Sequence, residues 1–152
     1  MPFHFVRVDV AGNISKRYSG SGIRFARFAG ACPLWNVFSA FATPGRFRTQ
    51  VSEMPDGQRF FCVARTVSNE ARGYHAPHVV HAVGLGCAVE YADRLVYADG
   101  VRLSYLDNIV PVGVTCRLCD RPRCAQRAVP SIATSFRIDE NLRRNSFYAS
   151  GT

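Results

Sequence analysis

The feature that most constrains this chain is a cysteine-rich stretch that runs from Gly113 to Arg127. Its sequence is GVTCRLCDRPRCAQR, in which Cys116, Cys119 and Cys124 follow one another at the spacing C-x2-C-x4-C. Thiolates are strong ligands for zinc and for iron, and three of them in one loop can hold a metal ion or a cluster on one side of that loop. The stretch therefore predicts a metal-binding or cluster-binding lobe.

The predicted cellular location of the chain makes disulfide bonds between its six cysteines improbable. The N-terminus, MPFHFVRVDV, lacks the charged and then apolar pattern of a secretory signal. No apolar stretch approaches the length of about 18 residues that a membrane span needs. We therefore expect a cytoplasmic protein without a membrane partner, in which cysteines are ligands or core residues. A length of 152 residues predicts one domain over residues 1–152.

The fourth ligand has to come from elsewhere in the chain. Cys62 lies in an apolar run, and Cys32 precedes Pro33, so both are predicted to be small buried residues, with Cys32 also able to face a pocket. Cys87 directly follows a Gly-x-Gly that we interpret as a turn between a strand and a helix. Cys87 is thus the predicted fourth thiol.

The spacing leaves the identity of the bound group open. One C-x2-C pair, a nearby third cysteine and a distant fourth favour an iron–sulfur cluster over the paired knuckles of structural zinc. Arginines in the loop would balance the negative charge of a cluster: Arg117, Arg121, Arg123 and Arg127. Zinc is the alternative, with His75, His78 or His81 able to replace Cys87, and uncoordinated thiols are the third reading.

Turn chemistry predicts two β-hairpins. The first joins 3–10 to 14–18 through Ala11-Gly12-Asn13, and the second joins 47–54 to 59–67 through Pro55-Asp56-Gly57-Gln58. Apolar residues at helical spacing predict a short helix after Pro33 and another over Val89 to Tyr97. The expected fold is α+β, an antiparallel sheet of about five strands with two main helices and the cysteine lobe.

The charge is carried almost entirely by arginine. Of 19 basic residues only Lys16 is a lysine, and the formal net charge is +8. The guanidinium fork suits phosphates and carboxylates, although a GC-rich genome also explains such usage. The chain has neither a helix-turn-helix pattern nor zinc-finger spacing, which makes direct DNA reading a weak hypothesis. It also lacks G-x-S-x-G, H-E-x-x-H and P-loop motifs, so we predict that it is not an enzyme.

Several segments together resemble the C-terminal ligand-sensing region of the short-chain fatty acyl regulators, bacterial transcription factors of propionate and related acyl-CoA metabolism. They cover nearly the whole chain in order: FHFVRVDVAGNISKRYS, CPLWNVFSAF with TPGRFRTQVSEMPDG, HAVGLGC with YADRLVYADG, and GVTCRLCDRPRCAQRAVP. The resemblance implies a domain that senses acyl-CoA or a related metabolite. It also implies that the cysteines are a family feature, and that DNA is bound through an N-terminal helix-turn-helix domain not present here.

A CoA thioester would suit the arginines and the Gly-x-Gly turn. Its phosphates need guanidinium forks and backbone N–H groups, and its acyl tail needs an apolar pocket. The candidate ligand residues are Arg24, Arg27, Trp35, Arg46, Arg48, Gly84 and Gly86. The plainer interpretation is that the aromatic residue is core and the arginines face water. The alternative function is a structural metal-binding dimerisation domain without a small-molecule ligand, and we expect a homo-oligomer in either case.

Overall fold

The structure is a computed structural model that describes residues 1–69, 73–135, 139–141, 143, 146 and 148. Its centre is a six-stranded sheet in the order β2-β1-β5-β4-β3-β6. The strands are β1 (His4–Asp9), β2 (Ile14–Ser19), β3 (Arg48–Glu53), β4 (Arg59–Ser68), β5 (Val80–Ala88) and β6 (Ile109–Pro111). The segment from Phe136 to Tyr148, which the sequence suggests is an arm after Pro130, falls largely outside the described residues.

Both predicted hairpins are confirmed. β1 pairs antiparallel with β2, and β3 pairs antiparallel with β4. In the first turn the Asp9 carboxylate accepts hydrogen bonds from the N–H groups of Ala11 and Asn13, both at 3.0 Å. In the second, Gly57 adopts a φ of 83°, which a residue with a Cβ rarely adopts. Local turn chemistry therefore sets both registers.

The prediction of a purely antiparallel sheet of about five strands was wrong, because the sheet is mixed and has six strands. The extra strand, β6, runs parallel to β3, and Ile109 pairs with Val51. β6 has only three residues and no hairpin turn before it. It covers the edge of β3, whose N–H and C=O groups would otherwise lack strand partners.

The prediction of two main helices was half right. The first helix is α1 (Asn36–Ala42). The second is replaced by two 3₁₀ turns, Val89–Arg94 and Val96–Ala98, with an extended Leu95 (φ −106°, ψ 129°) between them. This break turns the chain so that Ala92 and Ala98 both pack in one cluster on the sheet. In the part of the chain that the structure describes, no helix is long and apolar enough to cross a membrane.

Different segments of the chain pack on the two faces of the sheet. The inner face, which carries Val6, Gly84 and Phe60, packs against α1 and the irregular segment that precedes it. The outer face carries Phe61 and Val51, and the 3₁₀ turns cover part of it. Side chains alternate between the two faces along each strand, so neighbouring residues of one strand belong to different cores.

Gly84 and Gly86 lie within β5 rather than at a turn, so the predicted strand, Gly-x-Gly and helix unit was wrong. A Cβ atom at Gly86 would lie 2.5 Å from both the Phe61 carbonyl oxygen and His4 Nε2. A Cβ atom at Gly84 would lie 2.8 Å from Val37 Cγ1 of α1. The two glycines therefore serve close packing on the inner face, which leaves no phosphate-binding turn at this point.

His4 is buried on this face as a neutral imidazole. Its Nδ1 lies 2.7 Å from Ser21 Oγ, and its Nε2 lies 3.4 Å from Cys62 Sγ. Burial lowers the pKa of His4 to about 4. Burial also raises the pKa of the Cys62 thiol to about 12, so this histidine and thiol stay uncharged together.

We expect Gly86→Ala to lower the free energy of unfolding by about 1–3 kcal/mol, because the new methyl group must displace backbone or His4. Chemical denaturation at neutral pH measures this change. Gly30→Ala is the matched control, because its Cβ would meet only the Gly12 carbonyl oxygen at 3.7 Å. Equal stability of the two variants would contradict the packing role of Gly86.

His4 also predicts a pH dependence of stability. Because its pKa is about 4 in the folded chain and about 6.5 when unfolded, the unfolded state binds more protons between these values. Stability is therefore lost as the pH falls from about 6.5 to about 4, by roughly 3 kcal/mol. Denaturation at stepped pH should show a smaller loss for His4→Phe. The exposed His78→Phe is the control and should retain the wild-type slope.

Candidate functional site

The cysteine lobe, residues 112–132, follows directly from β6. The Val112 N–H donates to the Glu53 carbonyl at the end of β3, at 2.9 Å, and fixes where the lobe leaves the sheet. A 3₁₀ turn, Cys116–Leu118, then starts the loop that carries the thiols. Regular structure is sparse here, so side chains must satisfy many of the loop's backbone groups.

The structure places Cys32 beside this lobe, which the sequence did not predict. Burial raises the pKa of the Cys32 thiol, and the neighbouring Cys116 and Cys124 raise it further. The N–H groups of Gly113 and Leu34 donate to its sulfur and act in the opposite direction. Cys32 therefore lies on the inner-face side of the molecule with two of the predicted ligands.

The other lobe thiols have similar surroundings. Cys116 Sγ accepts a hydrogen bond from the Ala128 N–H at 3.5 Å. Cys119 Sγ lies against Gly113, where a Cβ atom would be 3.2 Å from the sulfur. N–H donors at sulfur are typical of the surroundings that tune thiolate-ligated centres. Cys116 and Cys124 thus lie near Cys32, and Cys119 lies beside Gly113, whose N–H donates to the Cys32 sulfur.

Cys87 does not join them. It lies opposite Phe61 in the β4–β5 ladder, and its side chain belongs to the outer face. Burial raises the pKa of its thiol, and Glu90 adds to the shift. The strand continues through Ala88, and its alternation turns Cys87 away from the face that Cys32 shares with the lobe. Among the described residues, no three Cys, His, Asp or Glu side chains stand close enough to hold a single metal ion.

Arg127 is the buried charge within the lobe, with 5% of its surface exposed. It donates to carbonyl groups of the cysteine loop rather than to a carboxylate. Its Nε has no partner among the described residues. A buried cation therefore lies against the backbone of the loop that carries Cys116, Cys119 and Cys124.

The other predicted ligand residues do not converge on one cleft. Arg24, Arg27, Arg46 and Arg48 are exposed. Trp35 is buried in the inner core, and its Nε1 has no partner among the described residues. The cavity beside it measures about 20 Å³, which is enough for one water molecule and too small for an acyl chain.

A larger cavity, of about 290 Å³, opens on the outer face. We call it the outer-face pocket. Its walls are almost entirely apolar, and Arg65 lies over the Phe47 ring with Cζ 5.3 Å from the centroid. The lining residues are Met1, Phe3, Phe47, Val63, Ala64, Arg65, Val83, Leu85, Gly86, Cys87, Leu95 and Tyr97. The sequence could have indicated this pocket, because side chains alternate between the two faces of β4 and β5 and the apolar Val63, Val83 and Leu85 lie on the same face.

With this geometry in place, the comparisons with known proteins identify the family. A family model described as the short-chain fatty acyl coenzyme A regulator, C-terminal, matches residues 1–148. The chain belongs to this family. Family and relatives are transcriptional regulators, so the prediction that the chain is not an enzyme is confirmed.

The individual relatives agree. The chain is 51% identical over 143 residues to the propionyl-CoA carboxylase regulator of Cereibacter sphaeroides, covering 94% of this chain and 31% of that protein. It is 47% identical over 150 residues to the HTH-type transcriptional regulator PrpR of Mycobacterium tuberculosis, covering 99% of this chain and 31% of that protein. The chain thus spans about a third of the length of these relatives.

A solved structure shares the fold. A Mycobacterium tuberculosis transcriptional regulator superposes with a TM-score of 0.86 at 47% sequence identity. The match covers 98% of this chain and 45% of that one. The resemblance inferred from the sequence is therefore confirmed, and the chain is a C-terminal domain of the short-chain fatty acyl coenzyme A regulator family.

Proposed function

We propose that this chain is the effector-binding domain of a transcriptional regulator of short-chain fatty acid or propionate metabolism. Its ligand is acyl-CoA, and the outer-face pocket receives the acyl end of that ligand. The observation that carries the proposal is an open apolar cavity of about 290 Å³ in a member of an acyl-CoA regulator family. The ligand state would pass to a helix-turn-helix domain of the same regulator.

The size and walls of the pocket suit a short acyl chain. Ligand pockets typically enclose about 300–1,000 Å³, so this cavity can take an acyl group and part of the pantetheine arm but not the nucleotide. Leu85 is 51% exposed and Phe47 is 52% exposed, which leaves apolar surface for a ligand to cover. Burying that surface supplies the favourable free energy of binding.

Arginines at the rim would bind the phosphates. Arg65 lines the pocket, and Arg46 and Arg48 flank Phe47 in sequence and are exposed. A guanidinium binds phosphate oxygens in pairs, and a domain of net charge +8 attracts an anionic ligand at long range. Of the ligand residues predicted from sequence, Arg46 and Arg48 fit this proposal best.

We also propose that Cys32, Cys116, Cys119 and Cys124 hold a thiolate-ligated group. An iron–sulfur cluster is favoured over zinc because its thiolates ligate different iron atoms and stand farther apart than four sulfurs around one ion. The loop spacing of Cys116, Cys119 and Cys124, C-x2-C-x4-C, is the observation that supports this assignment. A bound cluster would cross-link the lobe and supply a redox-active centre, whereas zinc would supply the cross-link alone.

Titration calorimetry tests the pocket. Propionyl-CoA should bind the wild-type domain, and Leu85→Asp should weaken binding by at least about tenfold, because a carboxylate would be placed against the apolar acyl group. Leu118→Asp is the matched control, since Leu118 is 64% exposed and lies in the cysteine lobe. Equal loss in both variants, or no binding by the wild type, would contradict the assignment.

Metal and acid-labile sulfide analysis of protein purified without oxygen tests the cysteine site. Cys32→Ser should lose the bound metal, as should Cys119→Ser, because each removes one thiolate from the set. Cys87→Ser should retain it, since that thiol lies on the outer face. Iron with sulfide identifies a cluster, and zinc alone identifies a structural cross-link. Loss of metal from Cys87→Ser with retention in Cys32→Ser would restore the ligand set expected from sequence.

A further inference from the structure

Arg127 holds the cysteine loop from its inside. One terminal nitrogen, Nη1, donates to the carbonyls of Cys116 at 3.1 Å and Cys119 at 3.2 Å. The other, Nη2, donates to the Arg121 carbonyl at 2.6 Å. All three acceptors lie between the first and the last thiol of the loop. One planar group therefore fixes three peptide units of the segment that carries the ligands.

The direction of a peptide carbonyl determines the direction of the neighbouring side chains. The bonds of a peptide unit lie in one plane, so fixing the carbonyls of Cys116 and Cys119 restricts how the Cα–Cβ bonds of those residues can point. A guanidinium presents its donors in a rigid fork, which a lysine cannot reproduce. The fork is therefore suited to holding two thiols in a set orientation before any group binds.

The same contact network ties the loop to the sheet. Arg121 Nη2 donates to the Glu53 carbonyl at 3.1 Å, at the end of β3. The Arg127 backbone N–H donates to the Cys124 carbonyl at 3.3 Å. Arg127 thus contacts the backbone on both sides of the third thiol in the loop, while its neighbour Arg121 anchors the loop to β3.

The charge of Arg127 has no carboxylate to balance it among the described residues, where the ion pair is Arg59 with Glu53 at 2.8 Å. A buried cation is costly unless it is paired or hydrogen-bonded. The three backbone carbonyls that accept from the guanidinium offset part of that cost.

We propose that Arg127 is the positioning residue of the cysteine site. Its fork pre-orients the thiols of Cys116 and Cys119, and its charge favours a negatively charged group bound by the lobe. The second part of this inference rests on the proposed cysteine-ligated group, and the first part does not.

Two substitutions of Arg127 separate the effect of the guanidinium hydrogen bonds from the effect of the positive charge. Arg127→Met removes both, and Arg127→Lys keeps the charge but loses the three-way contact. The matched control is Arg117→Met, because Arg117 is exposed in the same loop. In reduced, metal-free protein, alkylation of each cysteine by iodoacetamide is followed by peptide mass spectrometry. Cys62, packed against the inner core, reports global unfolding within the same sample.

Both Arg127 variants should alkylate Cys116 and Cys119 at least about tenfold faster than the wild type, because the charged donor contacts that close the loop are gone. The rates for Cys62 and for Arg117→Met should remain near those of the wild type. Wild-type rates at Cys116 and Cys119 in Arg127→Met would overturn the positioning role. Faster alkylation confined to samples in which Cys62 also reacts would overturn it too, because it would show general loss of the fold.

Metal retention against a chelator tests the charge. Arg127→Met should lose bound iron or zinc faster than Arg127→Lys, which keeps the cation, and Arg117→Met should match the wild type. Equal loss from the Met and Lys variants would contradict the electrostatic part. A wild-type protein that takes up no metal would refute the proposed cysteine-ligated group and with it the electrostatic part. The alkylation rates would still decide the positioning part.

Discussion

The close approach of backbone and side chains at β5 is the constraint on which the rest of the structure depends. Gly84 admits Val37 of α1, and Gly86 admits the ring of His4, at distances that no Cβ atom would allow. The core around Gly84 is consequently closely packed, and the cavity beside Trp35 measures only about 20 Å³. On the outer face the 3₁₀ turns cover the β3–β4 end of the sheet and leave the outer-face pocket open.

The sequence predicts those parts of the fold that depend on local chemistry. The turns at Asp9 and Gly57 form because neighbouring residues supply the hydrogen bonds and the positive φ angle, so both hairpins were predictable. The parallel strand β6 was not predictable, because its three residues pair with β3 only after a long crossover. The prediction of the second helix was wrong for a related reason, because the spacing of apolar residues does not reveal that Leu95 is extended.

In the candidate sites, too, features set by local sequence were predictable and features set by tertiary packing were not. The metal-binding role predicted from the spacing of Cys116, Cys119 and Cys124 stays a prediction, and the choice of Cys87 as the fourth ligand depended on where β5 ends. Extending that strand by three residues past Leu85 places Gly86 on the inner face and Cys87 on the outer one. Nothing near Cys32 in the sequence distinguishes it from a buried core cysteine. Its place beside Cys116 and Cys124 arises from tertiary packing.

The described structure also changes the interpretation of the arginines. From composition they suggested an anion-binding surface, yet three of them use their forks on backbone carbonyls: Arg17 on Ala26, Arg121 on Glu53, and Arg127 on the cysteine loop. Segments with little helix or strand leave many carbonyls unpaired, and a multidentate donor satisfies several at once. In the lobe, arginine side chains therefore supply backbone hydrogen bonds that helices and strands supply elsewhere. The exposed arginines, Arg46 and Arg48 among them, have side chains accessible to solvent.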